Sequence, residues 1–141
     1  MSAPTGKSGV VLSDVRVGDS LPELSIPLTA SLIVAGALAS RDFTPVHHDR
    51  SAAQATGLQD VFMNILTTNG LVGRYITDWT GPDAVIRNVA IKVGAPNLPG
   101  DTLTFSGTVA SREGDELRIE IKGKNSWGDH VTGTVRVVIS S

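Results

Sequence analysis

The feature that most narrows the possible folds is a change of periodicity at Gly81-Pro82. Upstream of it, Leu66, Leu71, Tyr75, Ile76 and Trp79 fall mostly at three- and four-residue spacings, which predicts an amphipathic helix over Leu66 to Trp79. Gly70 and Gly73 within it leave room for something to pack closely. Downstream, Ala84 to Val93, Asp101 to Ser111, Glu116 to Lys124 and His130 to Ile139 alternate or are rich in Val, Ile, Thr and Phe, and read as strands. Pro96 to Gly100, Glu113-Gly114-Asp115 and Asn125 to Asp129 supply turns between them. In the third segment Leu117, Ile119 and Ile121 share one face while Arg118, Glu120 and Lys122 share the other, so one face of the sheet is buried and one is wet. One long helix followed by strands in succession predicts a single antiparallel α+β domain whose sheet wraps the helix.

The first half of the chain reads as shorter pieces. Leu21 to Thr29 carries Pro22 and Pro27, which exclude a central strand and permit an edge strand. Ser31 is the expected N-cap of a short apolar helix over Leu32 to Ala39, and Asp49 of a second over Arg50 to Thr56 that Gly57 closes. Residues 1–14 are expected to be a flexible lead-in to a domain over 15–141; Met1 to Gly9 is rich in Ser, Gly and Pro without the apolar centre of a signal peptide. The longest apolar run is too short to cross a bilayer, so a soluble protein is expected. A net charge of −2 without a basic cluster gives nothing to follow a phosphate backbone, so nucleic acid is not an expected partner. The absence of cysteine removes disulfides, thiolate metal sites and a cysteine nucleophile, and fits the cytoplasm.

Between the short helices lies Arg41-Asp-Phe-Thr-Pro-Val-His-His-Asp49, which holds two of the three histidines. Pro45 fixes its own φ and pushes Thr44 out of helical geometry, so Asp42 and His47 sit on an extended, turn-like segment. A carboxylate and an imidazole aimed at one point could act as base and proton carrier on a single water. The alternative is that Asp42 caps the turn and His47 caps the next helix, and spacing alone leaves both open. His47, His48 and Asp49 make a poor metal site, because adjacent residues point to opposite sides and no further His or Cys completes the shell. His130 reads as a turn or strand-edge histidine. Asn64 is the expected N-cap of the long helix, whose first N–H groups and positive dipole end suit an oxyanion such as a thioester enolate.

Asp42-Phe-Thr-Pro-Val-His47-His-Asp49 resembles the hydratase motif of MaoC-like proteins, the R-specific enoyl-CoA hydratases of the hotdog fold, D-x-N-P-[IVL]-H-x-D. Val61 to Leu66 is similar to that family's entry to its central helix, and Pro99-Gly-Asp-Thr-Leu103 to its P-G-D-x-L turn. Further matches, among them Asn64 to Thr67, Arg74-Tyr75, Thr77-Asp-Trp79 and Gly128 to Thr132, resemble the small catalytic MaoC-like subunits of actinobacterial steroid side-chain enoyl-CoA hydratases. The resemblance implies a hotdog domain that hydrates a trans-2-enoyl-CoA, with Asp42 and His47 as the catalytic pair and the N–H near Asn64 or Ile65 as holder of the thioester oxygen. It implies no cofactor beyond the coenzyme A of the substrate. A second MaoC-like subunit would be the partner in a heterodimer or heterotetramer, or a second copy in a homodimer. Thr44 stands where the family has Asn, as a hydrogen-bond donor in the support of His47, and Met63-Asn64 stands where it has His-Gly; both favour a specialised substrate over a generic short enoyl-CoA, and the resemblance implies a shortened steroid side chain. A hotdog thioesterase and a non-catalytic acyl-CoA-binding subunit are the alternatives.

Overall fold

The computed structural model describes residues 9–140. Its frame is a five-stranded sheet of β1 (Ser20–Pro27), β2 (Val85–Val93), β3 (Thr102–Glu113), β4 (Glu116–Asn125) and β5 (Gly128–Val138), in the spatial order β1-β3-β4-β5-β2. Every pairing is antiparallel. Pro22 and Pro27 lie on β1 at one edge, where a missing N–H costs least. The tight β3–β4 link turns through Gly114 at φ 63°, a conformation that favours glycine. Along β4 the alternation holds: Leu117, Ile119 and Ile121 are buried and Arg118, Glu120 and Lys122 are exposed.

Three helices complete the domain: α1 (Ala30–Ala39), α2 (Arg50–Ala55) and α3 (Ile65–Thr80). Buried residues of α3, among them Val72, Tyr75 and Ile76, pack with Leu103, Phe105, Leu117, Ile119, Val131 and Val135 of the sheet in one core. The Tyr75 ring stacks on Phe105 at 5.3 Å between centroids, and its hydroxyl donates to the Pro22 carbonyl of β1 at 2.8 Å. Burial, with the charge of Glu23, pushes that phenol up to about 12, so it keeps its proton as a donor. Gly107 of β3 admits the ring: a Cβ there would lie 3.3 Å from it. The helix therefore touches β1, β3 and, through Thr68 and His130, β5, which is the wrapped arrangement the order of elements predicts.

Several local expectations change. The N-cap of α1 is Thr29, whose hydroxyl accepts from Leu32 N–H at 3.0 Å, and Ser31 lies inside the helix. Both residues have a suitable hydroxyl, and extended backbone at Thr29 decides between them. Leu12 is buried and sits in a 3-10 turn, Leu12–Asp14, so packing begins before residue 15; residues 1–8 of the expected lead-in lie outside the described residues. At Gly70 and Gly73 no other part of the described residues comes within 4 Å of a Cβ position, so nothing among them uses the room these glycines leave. No helix among the described residues is long and apolar enough to cross a membrane.

Candidate active site

Asp42 is placed by the way α1 stops. Ser40 is the C-cap; Arg41 N–H donates to Leu38 O at 3.0 Å and Asp42 N–H donates to Ala37 O at 2.8 Å. This is the paired-bond stop that usually has glycine after the cap, and here Arg41 occupies that left-handed position at φ 57°. The residue after the reversal is Asp42, so the end of a helix sets the origin of its side chain.

His47 is placed by a short turn and a distant carbonyl. Pro45 opens a 3-10 turn, Pro45–His47, after Thr44 in non-helical geometry at ψ 126°, so the expected segment is turn-like as read but not extended through His47. The His47 ring is buried edge-on against Phe62, 4.7 Å between centroids at 74°, and Nδ1 lies 2.7 Å from the Phe62 carbonyl oxygen. A carbonyl oxygen only accepts, so Nδ1 carries the proton, and in the neutral ring Nε2 presents its lone pair. Asp49, not His47, caps α2, accepting from Ser51 N–H at 3.0 Å and Ala52 N–H at 3.3 Å. The turn-cap reading holds for Asp42, whose Oδ1 accepts from Thr44 N–H at 3.2 Å, and fails for His47.

The two side chains face each other, Asp42 Oδ2 at 3.4 Å from His47 Nε2. Oδ1 also accepts from the Thr44 hydroxyl at 2.7 Å, and Oδ2 accepts from Asn64 Nδ2 at 3.1 Å. The Thr44 hydroxyl, then the Asn64 amide and the Thr44 N–H, hold the carboxyl of Asp42 below its ordinary value against a smaller burial effect; it is therefore ionised at neutral pH. Thr44, expected in support of His47, supports Asp42 instead, and His47 is oriented by backbone.

Asn64 is 2% exposed and does cap α3, its Oδ1 accepting from Thr67 N–H at 3.1 Å. Its Nδ2 donates to Ser40 Oγ at 2.9 Å as well as to Asp42, so its side chain is turned to the carboxylate and not outward to a ligand. Ser40, which sequence reasoning passed over, gives its own proton to Gly36 O at 2.7 Å. The N–H groups of Ile65 and Leu66 open α3 with no partner among the described residues, and both side chains are exposed. A groove of about 320 Å³, lined by Gly36, Ala39, Ser40, Leu66, Gly70 and Leu71, runs beside them between α1 and α3.

The other histidines stand apart from the pair. His48 is exposed, and its Nε2 lies 3.2 Å from Phe43 O. His130, expected at a turn or strand edge, is buried near the start of β5 against the central helix. Among the described residues no three of His, Cys, Asp and Glu cluster as metal ligands.

Comparison with known proteins places this geometry in a family. The MaoC like domain matches residues 16–141. The chain is 48% identical over 121 residues, 86% of its length, to the 3-oxo-4,17-pregnadiene-20-carboxyl-CoA hydratase beta subunit of Mycobacterium tuberculosis, covering 94% of that protein. Its structure is similar to a chain of the ChsH1-ChsH2 complex of M. tuberculosis, with a TM-score of 0.87 at 46% identity over 89% of this chain and 98% of the other. It is similar in fold to the R-hydratase PhaJ1 of Pseudomonas aeruginosa, TM-score 0.85 at 20% identity over 92% of this chain and 85% of the other. With the family matched from residue 16 to the end and its α+β hotdog architecture reproduced, the chain belongs to the MaoC-like family of hydratases and dehydratases.

Proposed function

We propose that this chain is the catalytic subunit of an enoyl-CoA hydratase that adds water across the double bond of a trans-2-enoyl-CoA carried on a shortened steroid side chain. The observation that carries the reading is the convergence of two acceptors, Asp42 Oδ2 and His47 Nε2, 3.4 Å apart with Nδ1 of the imidazole occupied by Phe62 O. One water has two protons to offer such a pair. Asp42 takes one as the water oxygen bonds to C3 and the new hydroxyl keeps the other; the proton held by Asp42 is then returned to C2, through the same water position or by way of His47 Nε2, so the product gains one hydroxyl and one hydrogen and both side chains end as they began. The N–H groups of Ile65 and Leu66 receive the thioester oxygen as its charge grows, a contribution typically worth about 3 kcal/mol per donor. Coenzyme A arrives with the substrate, and no resident cofactor is needed for this chemistry.

The steroid assignment is supported by the 48% identity to a subunit named as a steroid-carboxyl-CoA hydratase. A second MaoC-like subunit completes the pocket, in the cytoplasm. Its support is the ChsH1-ChsH2 complex to which this chain is similar, and the exposed apolar side chains Phe43, Ile65 and Leu66 around the pair. The test is loss of the conjugated enoyl thioester absorbance with the chain alone and with a second subunit. Asp42→Ala and His47→Ala are expected to abolish it; activity surviving in either removes that residue, and release of free thiol without hydration would indicate a thioesterase.

A further inference from the structure

Asn64 does more than a helix cap requires. A cap needs one oxygen, and Ser, Thr or Asp would supply it equally well. In Asn64 that oxygen is Oδ1, fixed by Thr67 N–H and by the Thr67 hydroxyl. Its assignment is unambiguous, because Thr67 N–H only donates and the Asp42 carboxylate only accepts. The remaining group, the NH₂, donates one proton to Ser40 Oγ at 2.9 Å and the other to Asp42 Oδ2 at 3.1 Å. Oδ2 is the oxygen that faces His47. Ser40 in turn is tied to α1 through Gly36 O at 2.7 Å and Ala37 O at 3.2 Å. The start of α3 and the end of α1 are thus stapled through one buried carboxamide at the reactive carboxylate.

We infer that Asn64 and Ser40 are positioning residues for Asp42: the amide fixes the rotation of the carboxylate so that Oδ2 points at His47, and Ser40 fixes the amide. Thr44 holds Oδ1 by two bonds from one side, and because rotation about Cβ–Cγ carries both oxygens, the amide on Oδ2 is the restraint that closes it from the other side. Without the amide, Oδ2 keeps the His47 imidazole at 3.4 Å as its neighbour but loses its side-chain hydrogen-bond donor among the described residues. A carboxylate free to turn spends less time in the geometry that accepts a proton from a shared water. The substitutions separate this role from capping. Asn64→Ser keeps an acceptor for the helix and loses the donor; Asn64→Asp keeps the acceptor and sets a second negative charge against Oδ2; Ser40→Ala leaves the amide with one anchor fewer.

The inference rests on the hydratase reading for its kinetic part, and a measurement without substrate keeps the two apart. Thermal melts establish folding of each variant. The Asp42 carboxyl is then titrated by ¹³C NMR, and kcat, KM and the acid limb of the pH profile are measured on the assembled enzyme. In Asn64→Ser the titration and the acid limb are expected to move to higher pH, with kcat down about 10- to 100-fold and KM within about twofold. In Asn64→Asp the upward movement is larger. Ser40→Ala loses less, and Ser40→Thr, which restores the hydroxyl, recovers it. If Asn64→Ser does not fold, Ser40→Ala against Ser40→Thr decides. Unchanged kcat and titration in a folded variant overturn the inference while the hydratase reading stands; a shifted titration in a protein with no hydratase activity upholds the positioning and overturns that reading.

Discussion

Thr68 of the central helix and His130 of β5 meet across 2.8 Å, hydroxyl to Nε2, while Nδ1 of the same ring lies 2.7 Å from Ala95 O. Nδ1 carries the proton, Nε2 accepts from Thr68, and the ring is neutral with both nitrogens satisfied. Burial is the main cause that pushes His130 below its ordinary value of 6.5, with the Ala95 bond opposing it.

The sign of the resulting pH dependence follows from linkage. The folded ring binds a proton less readily than the unfolded one, so the stability it contributes is fully present above pH 6.5 and is lost as pH falls towards the folded value. Chemical denaturation at pH 7.5 and at pH 5.5 is expected to show that loss. His130→Gln should cost about 1–3 kcal/mol at neutral pH, where partners lose their geometry, and should flatten the dependence. An equally steep dependence in the variant would place its origin elsewhere.

Thr44→Val removes the hydroxyl that does most to hold Asp42 low. The carboxyl then titrates at higher pH, and because the ionised form is the proposed base, the acid limb of kcat/KM is expected to move up with it. The plateau near neutral pH is expected to change far less than in Asp42→Ala. A profile superimposable on that of the native chain would show that Asp42 does not set the limb.

Gly36 lets Thr67 come close. A methyl at Gly36 would collide with Thr67 Oγ1, the group that helps hold Asn64 Oδ1. Gly36→Ala trades a better helix residue for this overlap, and a net destabilisation of about 1–3 kcal/mol is expected, with kcat reduced through displacement of the Asn64 amide. A melt at or above that of the native chain would show that α1 moves aside at no cost.

Arg41 stands in a left-handed conformation that costs an ordinary residue about 1–2 kcal/mol and glycine almost nothing. Glycine also frees the unfolded chain, so Arg41→Gly is expected to gain only about 0.5–1 kcal/mol, with Asp42 undisturbed and activity retained. Arg41→Val should lose stability, since branching at Cβ worsens the same crowding. Denaturation midpoints of the two variants on opposite sides of the native one would confirm the sign.

What was legible in the sequence was what neighbours decide. Alternation set the face of β4, prolines sent β1 to an edge, and the caps of α2 and α3 are written at Asp49 and Asn64. The side-chain partners across the fold were not legible. Nothing near His130 signals Thr68, and nothing near Asn64 signals that its amide reaches Ser40 and Asp42, because those meetings depend on where α1, α3 and β5 come to rest. Thr44 was read from its place in the motif as support for His47; the two-residue separation from Asp42 made the shorter bond the one that formed.

The stop of α1 makes the pairing of Asp42 with His47 largely a local product. From Ala37 to Asp49 the backbone bonds that set Asp42 and His47 close within the segment: Asp42 to Ala37, Arg41 to Leu38, His47 to Thr44, Asp49 to Pro45. Such a segment is a cassette. Moved into another hotdog scaffold, it would bring the spacing of acid and imidazole with it, and the host would have to furnish two things from outside, a carbonyl where Phe62 stands and an amide donor where Asn64 stands.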